Sequence, residues 1–302
     1  MFDGERPLTA LAPLAQQPLQ FLRGTEGSFG AQPKEEIARY TAHGREVQLT
    51  SDSISGESFT GCQWRFQVEG IVSFYWFGGA HNITYILHEN GTDSLCAFWF
   101  IHIFLPLFLT LERDYDFIHA ASVEVEGRPV LLIAPSMGGK STLGDFFLSK
   151  GHTMLSDDKV ATFCYEHQYW AIPSHPHHRP YREFEVLGQY IENYAQQSGV
   201  LQAIFLLEQC DLGCSTFIKE ISGFKKFEQL MPNYLFEFSF LQERRLRWLS
   251  ALADQVPVFQ VNRPWGLERL EETYTAITAE CRLLRNGRTY DPSDRSDATA
   301  LV

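Results

Sequence analysis

No two cysteines in this chain form a Cys-x-x-Cys pair, and no second pair follows Cys210 and Cys214 at zinc-site spacing. That excludes the common structural zinc sites. All six cysteines, Cys62, Cys96, Cys164, Cys210, Cys214 and Cys281, are therefore expected as reduced thiols in a cytoplasmic protein. The opening residues, MFDGERPLTA, lack a basic stretch leading into an apolar core, so no secretory signal is read there. Positive charge is also short, with 25 Lys and Arg against 37 Asp and Glu, a formal net charge of −12. A protein built to grip nucleic acid needs a dense cationic surface, so that class is excluded. A nucleotide is not, because it needs only one locally positive pocket. The guanine-reading motif Asn-Lys-x-Asp is absent, which removes a GTPase switch. Long apolar runs are nearly absent. The one candidate, Cys96 to Leu111, contains His102 and Pro106 and falls short of the roughly 20 residues that span a bilayer. It is expected to be a buried core helix, with no membrane partner.

What is present is ordinary globular material: 302 residues, 44% hydrophobic and 21% charged. Three regions are expected: a β-rich part over 1–115 with the buried apolar helix, a second unit over 116–285, and a loose polar tail over 286–302. Residues 1 to about 60 are mixed and rich in turn formers. Alternation and β-branched or aromatic residues then predict strands between Gln63 and Leu87. Further on, Ile118 to Val125 reads as one strand and Pro129 to Ile133 as an apolar second strand after the turn Glu126-Gly127-Arg128. Lys140 to Lys150 reads as a helix stopped by Gly151. His152 to Leu155 reads as a strand, and Lys159 to Tyr165 with Gln168 to Ile172 as a hairpin turning at Glu166-His167. Helices are expected over Tyr181 to Ser198, Lys225 to Met231, Tyr234 to Asp254 and Leu267 to Leu284, with strands at Gln202 to Leu207 and Val256 to Val261.

The most specific motif lies between the second of those strands and its helix. Ala134-Pro135-Ser136-Met137-Gly138-Gly139-Lys140-Ser141 matches seven of the eight positions of G-x-x-x-x-G-K-[ST], with Ala134 in place of the first glycine. In such a loop, backbone N–H groups point at phosphate oxygens, and side chains at Gly138 and Gly139 would obstruct the approach. The next helix turns its N-terminus to the same anion. Lys140 would reach the β and γ phosphates and the Ser141 hydroxyl would ligate Mg²⁺. Ser136, Met137, Gly138, Gly139, Lys140, Ser141 and Thr142 are therefore the expected ATP-binding residues. The acidic pair Asp157-Asp158 follows at the end of a strand, 16 residues after Ser141. Strand-end carboxylates hold Mg²⁺ in P-loop proteins, and two of them can share metal and base duties. The cluster His175-Pro176-His177-His178-Arg179 has no second ligand group at useful spacing, and reads as a polar or substrate loop.

Ile118-His119-Ala120-Ala121-Ser122-Val123, the loop, and Lys150-Gly151-His152-Thr153-Met154-Leu155-Ser156-Asp157-Asp158 together resemble the catalytic core of the HPr kinase/phosphorylase family, over about 118–172. The resemblance implies an α/β P-loop kinase core shared with ATP-dependent phosphoenolpyruvate carboxykinase, preceded here by the β-rich region. It implies ATP and Mg²⁺ as cofactors and phosphoryl transfer to a serine hydroxyl. Carried over by position, Asp157 is the base, Asp158 with Ser141 sits on the metal, and His119 lies beside the transferred phosphate with Lys140. The string Glu185-Val186-Leu187-Gly188 lacks the arginine of the bifunctional enzymes' signature, so phosphorylase activity is not implied. Residues 1–115 also differ from the usual N-terminal domain. The nearer likeness is to HPr kinase-like proteins found with peptide-modification genes, including lasso-precursor kinases. The expected partner is then a serine-bearing peptide or protein, such as a small precursor peptide, and the chain is expected to be a homo-oligomer. A kinase for a small hydroxylated metabolite and a nucleotide-dependent regulatory ATPase use the same core and stay open. A carboxykinase-like lyase would need metal and carboxylate-binding residues that the sequence does not offer.

Overall fold

The computed structural model describes residues 19–25, 27, 29, 33–52, 60–112, 115–179, 184–211 and 213–287. It is a mixed α/β protein with several sheets. The first is six-stranded: β1 (Gln20–Arg23), β2 (Glu35–Ala42), β3 (Arg45–Ser51), β4 (Gln63–Val68), β5 (Val72–Phe77) and β6 (Asn82–Leu87), ordered β1-β6-β5-β4-β3-β2. Strands thus begin well before Gln63. The β2–β3 hairpin was hidden because β2, EEIARYTA, is an exposed outer strand with little apolar alternation. In β4 the alternation is plain: Trp64, Phe66 and Val68 are buried and the residues between them are less so.

The apolar run closes over the buried face of this sheet. It forms α1 (Asp93–Trp99), a π-turn (Phe100–Phe104) and α2 (Leu105–Leu111). Thr92 caps its start by accepting from the Leu95 N–H. Among the described residues this is the one helix long and apolar enough to cross a membrane, over Asp93–Leu111, but 72% of that stretch is buried inside the protein. Phe104 stacks on Phe74 at 4.4 Å, and Trp76 lies edge-on to Phe104 and Phe108. Pro106 has no N–H to give the carbonyl four residues back. The His102 carbonyl, in the π-turn, accepts the Lys159 ammonium at 2.6 Å.

The strand expected over 118–125 is two strands in different sheets, β7 (Asp116–His119) and β8 (Ala121–Val125), separated at Ala120. Next come β9 (Arg128–Ile133), α3 (Lys140–Ser149), β10 (Met154–Ser156), and the hairpin β11 (Lys159–Tyr165) and β12 (Gln168–Ile172). The hairpin turns where expected, with Glu166 and His167 both left-handed. The helix expected over 181–198 is absent from the described part of that stretch. Residues 184–198 form turns around β14 (Gln189–Tyr190), which pairs with β13 (His177–His178); residues 181–183 lie outside the description. The chain ends with β15 (Gly199–Val200), β16 (Ala203–Cys210), β17 (Phe217–Ile221), α4 (Phe224–Leu230), α5 (Gln242–Gln255), β18 (Val258–Pro264) and α6 (Leu270–Arg285). The helix expected from Tyr234 starts only at Gln242, because Tyr234 bridges to Ile118 as extended chain. Beyond Gly287 the expected tail lies outside the described residues.

The second six-stranded sheet, ordered β10-β8-β9-β16-β18-β17, carries the site. Its three central strands, β9, β16 and β18, are parallel. Both faces are covered. Leu131, Ile133, Ile204 and Leu206 face one core cluster beside α5, and Val130, Leu132, Phe205 and Leu207 face another with α3 and α6 residues. Burial on both faces explains why β9 reads as an unbroken apolar run. The carboxyl ends of the parallel strands then meet at one edge, where ligands bind in sheets of this kind.

Candidate active site

At that edge β9 runs into the loop 134–139 and α3 begins at Lys140. Met137 and Gly139 both have positive φ, 64° and 77°. Met137 is unusual there for a residue with a side chain, and that side chain is 84% exposed. Gly138 is needed for space, because a Cβ there would lie 2.8 Å from the Ala134 Cβ and 2.9 Å from the Pro135 carbonyl oxygen. Its N–H closes a turn onto that same oxygen. The Gly138 amide is thus used inside the loop, contrary to the expectation that it points at a phosphate. Gly139 caps α3 without any side-chain hydrogen bond, and no acidic residue occupies the first turn. The α3 amide dipoles therefore face the site uncancelled. Ser136 is exposed, while Ser141 and Thr142 are half-buried on the first turn of α3.

Lys140 is buried, and its ammonium donates to His119 Nε2 at 2.6 Å. An ammonium has no acceptor, so the ring proton of a neutral His119 is on Nδ1. That nitrogen faces Asp158 Oδ1 at 3.5 Å. The chain crossing between sheets makes this meeting possible, because the Ala120 N–H bonds to the Asp158 carbonyl. Asp158 also pairs with Lys159 at 3.3 Å. The two acids follow β10 in a bend and do not continue the strand, so strand alternation does not govern them. They still part company. Asp157 is 4% exposed; it accepts the Arg179 N–H at 2.7 Å and lies 3.2 Å from His178 Nδ1. Burial opposes ionisation of Asp157, yet His178 and the Arg179 amide outweigh it and hold the carboxyl below its ordinary pKa. The other side of His178 faces Asp145 of α3 at 3.7 Å. Asp145 stands one turn after Ser141 on the same helix face. Asp157 is therefore connected toward the Ser141 side, and Asp158 toward His119 and Lys140.

Asp158 borders a small apolar-walled cavity, with Lys159, His102 and His175 at its rim and Leu105, Leu109 and Phe117 behind. Its roughly 20 Å³ holds about one water. Burial, with nearby His175, Arg179 and Lys159 charges, pushes His102 down to about 2, so the ring is neutral. The loop that follows His178 is pinned by residues of β3, α1 and the π-turn. Glu185 accepts from Trp99 at 2.7 Å and pairs with Arg45, and His102 Nε2 bonds the Leu187 carbonyl at 3.0 Å. The string Glu185-Val186-Leu187-Gly188 is accordingly a docked loop and not part of a helix.

Among the described residues no group of three His, Cys, Asp or Glu side chains could hold a metal ion unaided. Cys210 and Cys214 form a disulfide, so the expectation of six reduced thiols is corrected. The two thiols meet because the chain turns directly after β16. Sequence reading also missed Arg263, which reaches the loop from the end of β18 and donates to the Gly138 carbonyl at 2.6 Å. Its one signal is an arginine closing an apolar strand, in Val261-Asn262-Arg263-Pro264-Trp265.

No family model matches the chain, and no curated protein matches it. Among solved structures, the HPr(Ser) kinase/phosphatase from Coxiella burnetii is distantly similar, with a TM-score of 0.36 and 13% identity over 57% of this chain and 99% of that one.

Proposed function

We propose that the chain is an ATP-dependent kinase that transfers the γ-phosphoryl group to a serine-type hydroxyl of a peptide or protein. The observation that carries this reading is the convergence of Lys140, His119 and Asp158 at the mouth of the strand–loop–helix phosphate cradle. The cradle fits a polyphosphate: α3 opens uncapped toward it, and Lys140 is buried beside it.

In this reading Lys140 binds the phosphates and balances the charge that develops during transfer. Asp158 takes the proton from the acceptor hydroxyl, and His119 Nδ1–H orients it. Bound Mg²⁺ would neutralise phosphate oxygens, and Ser141 with Asp157 are the residues that would hold it. The resemblance assigns the acids the other way round. The geometry favours the exchange, because Asp157 is enclosed by His178 and Arg179 while the Asp158 side chain is 28% exposed and lies 3.5 Å from His119.

The test is incubation of the full chain with labelled ATP, Mg²⁺ and a panel of serine-bearing peptides, proteins and small hydroxylated metabolites, scored by mass spectrometry. Transfer to a peptide or protein serine is the expected result. Labelling of metabolites alone would move the reading to a metabolite kinase, and hydrolysis without transfer to a regulatory ATPase. Within the acidic pair, Asp158→Asn is expected to keep nucleotide affinity and lose transfer, and Asp157→Asn to weaken Mg²⁺-ATP binding as well. Wild-type transfer in both variants would end the mechanism.

A further inference from the structure

Arg263 is a buried cation with an incomplete set of partners. Its side chain belongs to a residue only 4% exposed, yet no carboxylate lies within ion-pair distance of it among the described residues. One N–H, on Nη2, is used by the Gly138 carbonyl, and Nε has no hydrogen-bond partner. The guanidinium lies over the Trp265 ring at 5.2 Å, which shields one face from water. Burial pulls its pKa down from the ordinary value. Leaving a guanidinium desolvated and uncompensated is costly, and natural folds keep such a group where an anion completes it.

Position says which anion. Arg263 stands opposite Gln209 at the carboxyl end of the parallel strands, one strand beyond the neighbour of β9. The guanidinium fills the space that any side chain at position 139 would need, since a Cβ there would lie 2.6 Å from Nη2. It is therefore in contact with the phosphate loop itself, at the turn where α3 starts.

Resting on the nucleotide reading above, we infer that Arg263 is a second phosphate-binding cation of the ATP site. One N–H holds the Gly138 carbonyl out of the cradle, and the remaining donors are left for a phosphate oxygen. An arginine fork suits this double task better than an ammonium would.

The full chain is titrated by calorimetry with Mg²⁺-ATP and, separately, with inorganic tripolyphosphate. Arg263→Met is expected to bind both roughly 10- to 100-fold more weakly, the loss of one charge-assisted bond. Arg263→Lys should recover part of that affinity. Without ligand, the melting temperature of Arg263→Met should be unchanged or higher, because the charge removed had no counter-anion. A role confined to bracing Gly138 makes the opposite forecast, a lower melting temperature with near-normal tripolyphosphate affinity, and that result overturns the inference. If Arg263→Met fails to fold, Arg263→Lys carries the test, and affinity equal to wild type overturns it. Should the wild-type chain bind neither ligand, the nucleotide reading falls and this inference with it. Binding by wild type and equal binding by the variants sinks this inference alone.

Discussion

Alanine at Gly139 should cost more than alanine at any open left-handed glycine, and the excess should measure the Arg263 contact. Gly127 is the control: its φ is 76°, matching the 77° of Gly139, and a Cβ there meets nothing within 4 Å. Gly127→Ala therefore incurs only the left-handed penalty, about 1–2 kcal/mol. Gly139→Ala incurs the same penalty and also drives the guanidinium off its 2.6 Å bond to the Gly138 carbonyl. A guanidinium pushed out of that space stays buried with its donors unmet, which costs about 1–3 kcal/mol, so the total should be about 2–5 kcal/mol. The assay is urea unfolding of both variants, with ΔG compared at equal m-values. The double variant Gly139→Ala/Arg263→Met should return to the cost of Gly127→Ala, because the obstructing atom is gone; the shortfall from additivity gives the coupling. If the two glycine variants differ by less than about 0.5 kcal/mol, within the usual error of additivity, the guanidinium does not occupy that space and the reasoning fails.

Lys140→Ala should lower transfer roughly a thousandfold or more while leaving the circular dichroism spectrum unchanged, and near-normal transfer would end the phosphate-loop reading. Mg²⁺-ATP at 100 times its Kd should stabilise the wild type by about 2.7 kcal/mol, seen as a raised melting temperature. His102 should make the fold acid-sensitive. Its pKa is held near 2 in the folded chain by burial, against an ordinary value of 6.5, so between those limits only the unfolded chain takes up the proton. Stability is then full above pH 6.5 and falls by about 1.4 kcal/mol per unit below it, about 2.7 kcal/mol by pH 4.5. His102→Gln should flatten that slope by one proton, and an unchanged slope would refute the assignment. Reducing the Cys210–Cys214 bond opens a five-residue loop and should cost about 2 kcal/mol by the chain-entropy relation, read from the urea midpoint with and without reductant.

Much of the scaffold is legible in the residues, for reasons tied to burial. β9 and β16 are covered on both faces, so they appear as apolar runs, and the hairpin at Glu166-His167 has turn residues between two β-rich segments. The segments that mislead are those whose conformation is set by distant partners. Residues 184–198 contain enough helix formers to predict a helix, but Glu185 is held by Trp99 and Arg45, and the Leu187 carbonyl by His102. Those bonds span 85 residues or more in sequence for the Trp99 and His102 contacts, which no local propensity can register. The Cys210–Cys214 bond was missed on a different ground. Composition and spacing address metal sites and compartment, whereas this pairing depends on the turn that follows β16.

The loop motif alone singles out Lys140 and Ser141 for the proposed phosphate site, but the duties proposed for Asp157 and Asp158 depend on what each side chain meets. Alternation along a strand predicts that the neighbours point apart, and they do, though not for that reason, because both lie in the bend after β10. Asp158 is turned toward Lys140 by two backbone facts. The chain changes sheets at Ala120, whose N–H bonds the Asp158 carbonyl, and this brings His119 alongside. The His102 carbonyl, in the π-turn, accepts the Lys159 ammonium and anchors the residue next to Asp158. Asp157 is turned the other way by the Arg179 amide and His178, on a loop docked against α1 and the π-turn. Residues 93–111 thus act on the acidic pair from both sides while lying outside the phosphate cradle. Loosening their grip, for instance by Trp99→Phe, which deletes the N–H given to Glu185, should disturb Asp157 and its Mg²⁺-dependent binding more than it disturbs the affinity for phosphate without metal. Equal losses in both would mean that residues 93–111 serve stability alone.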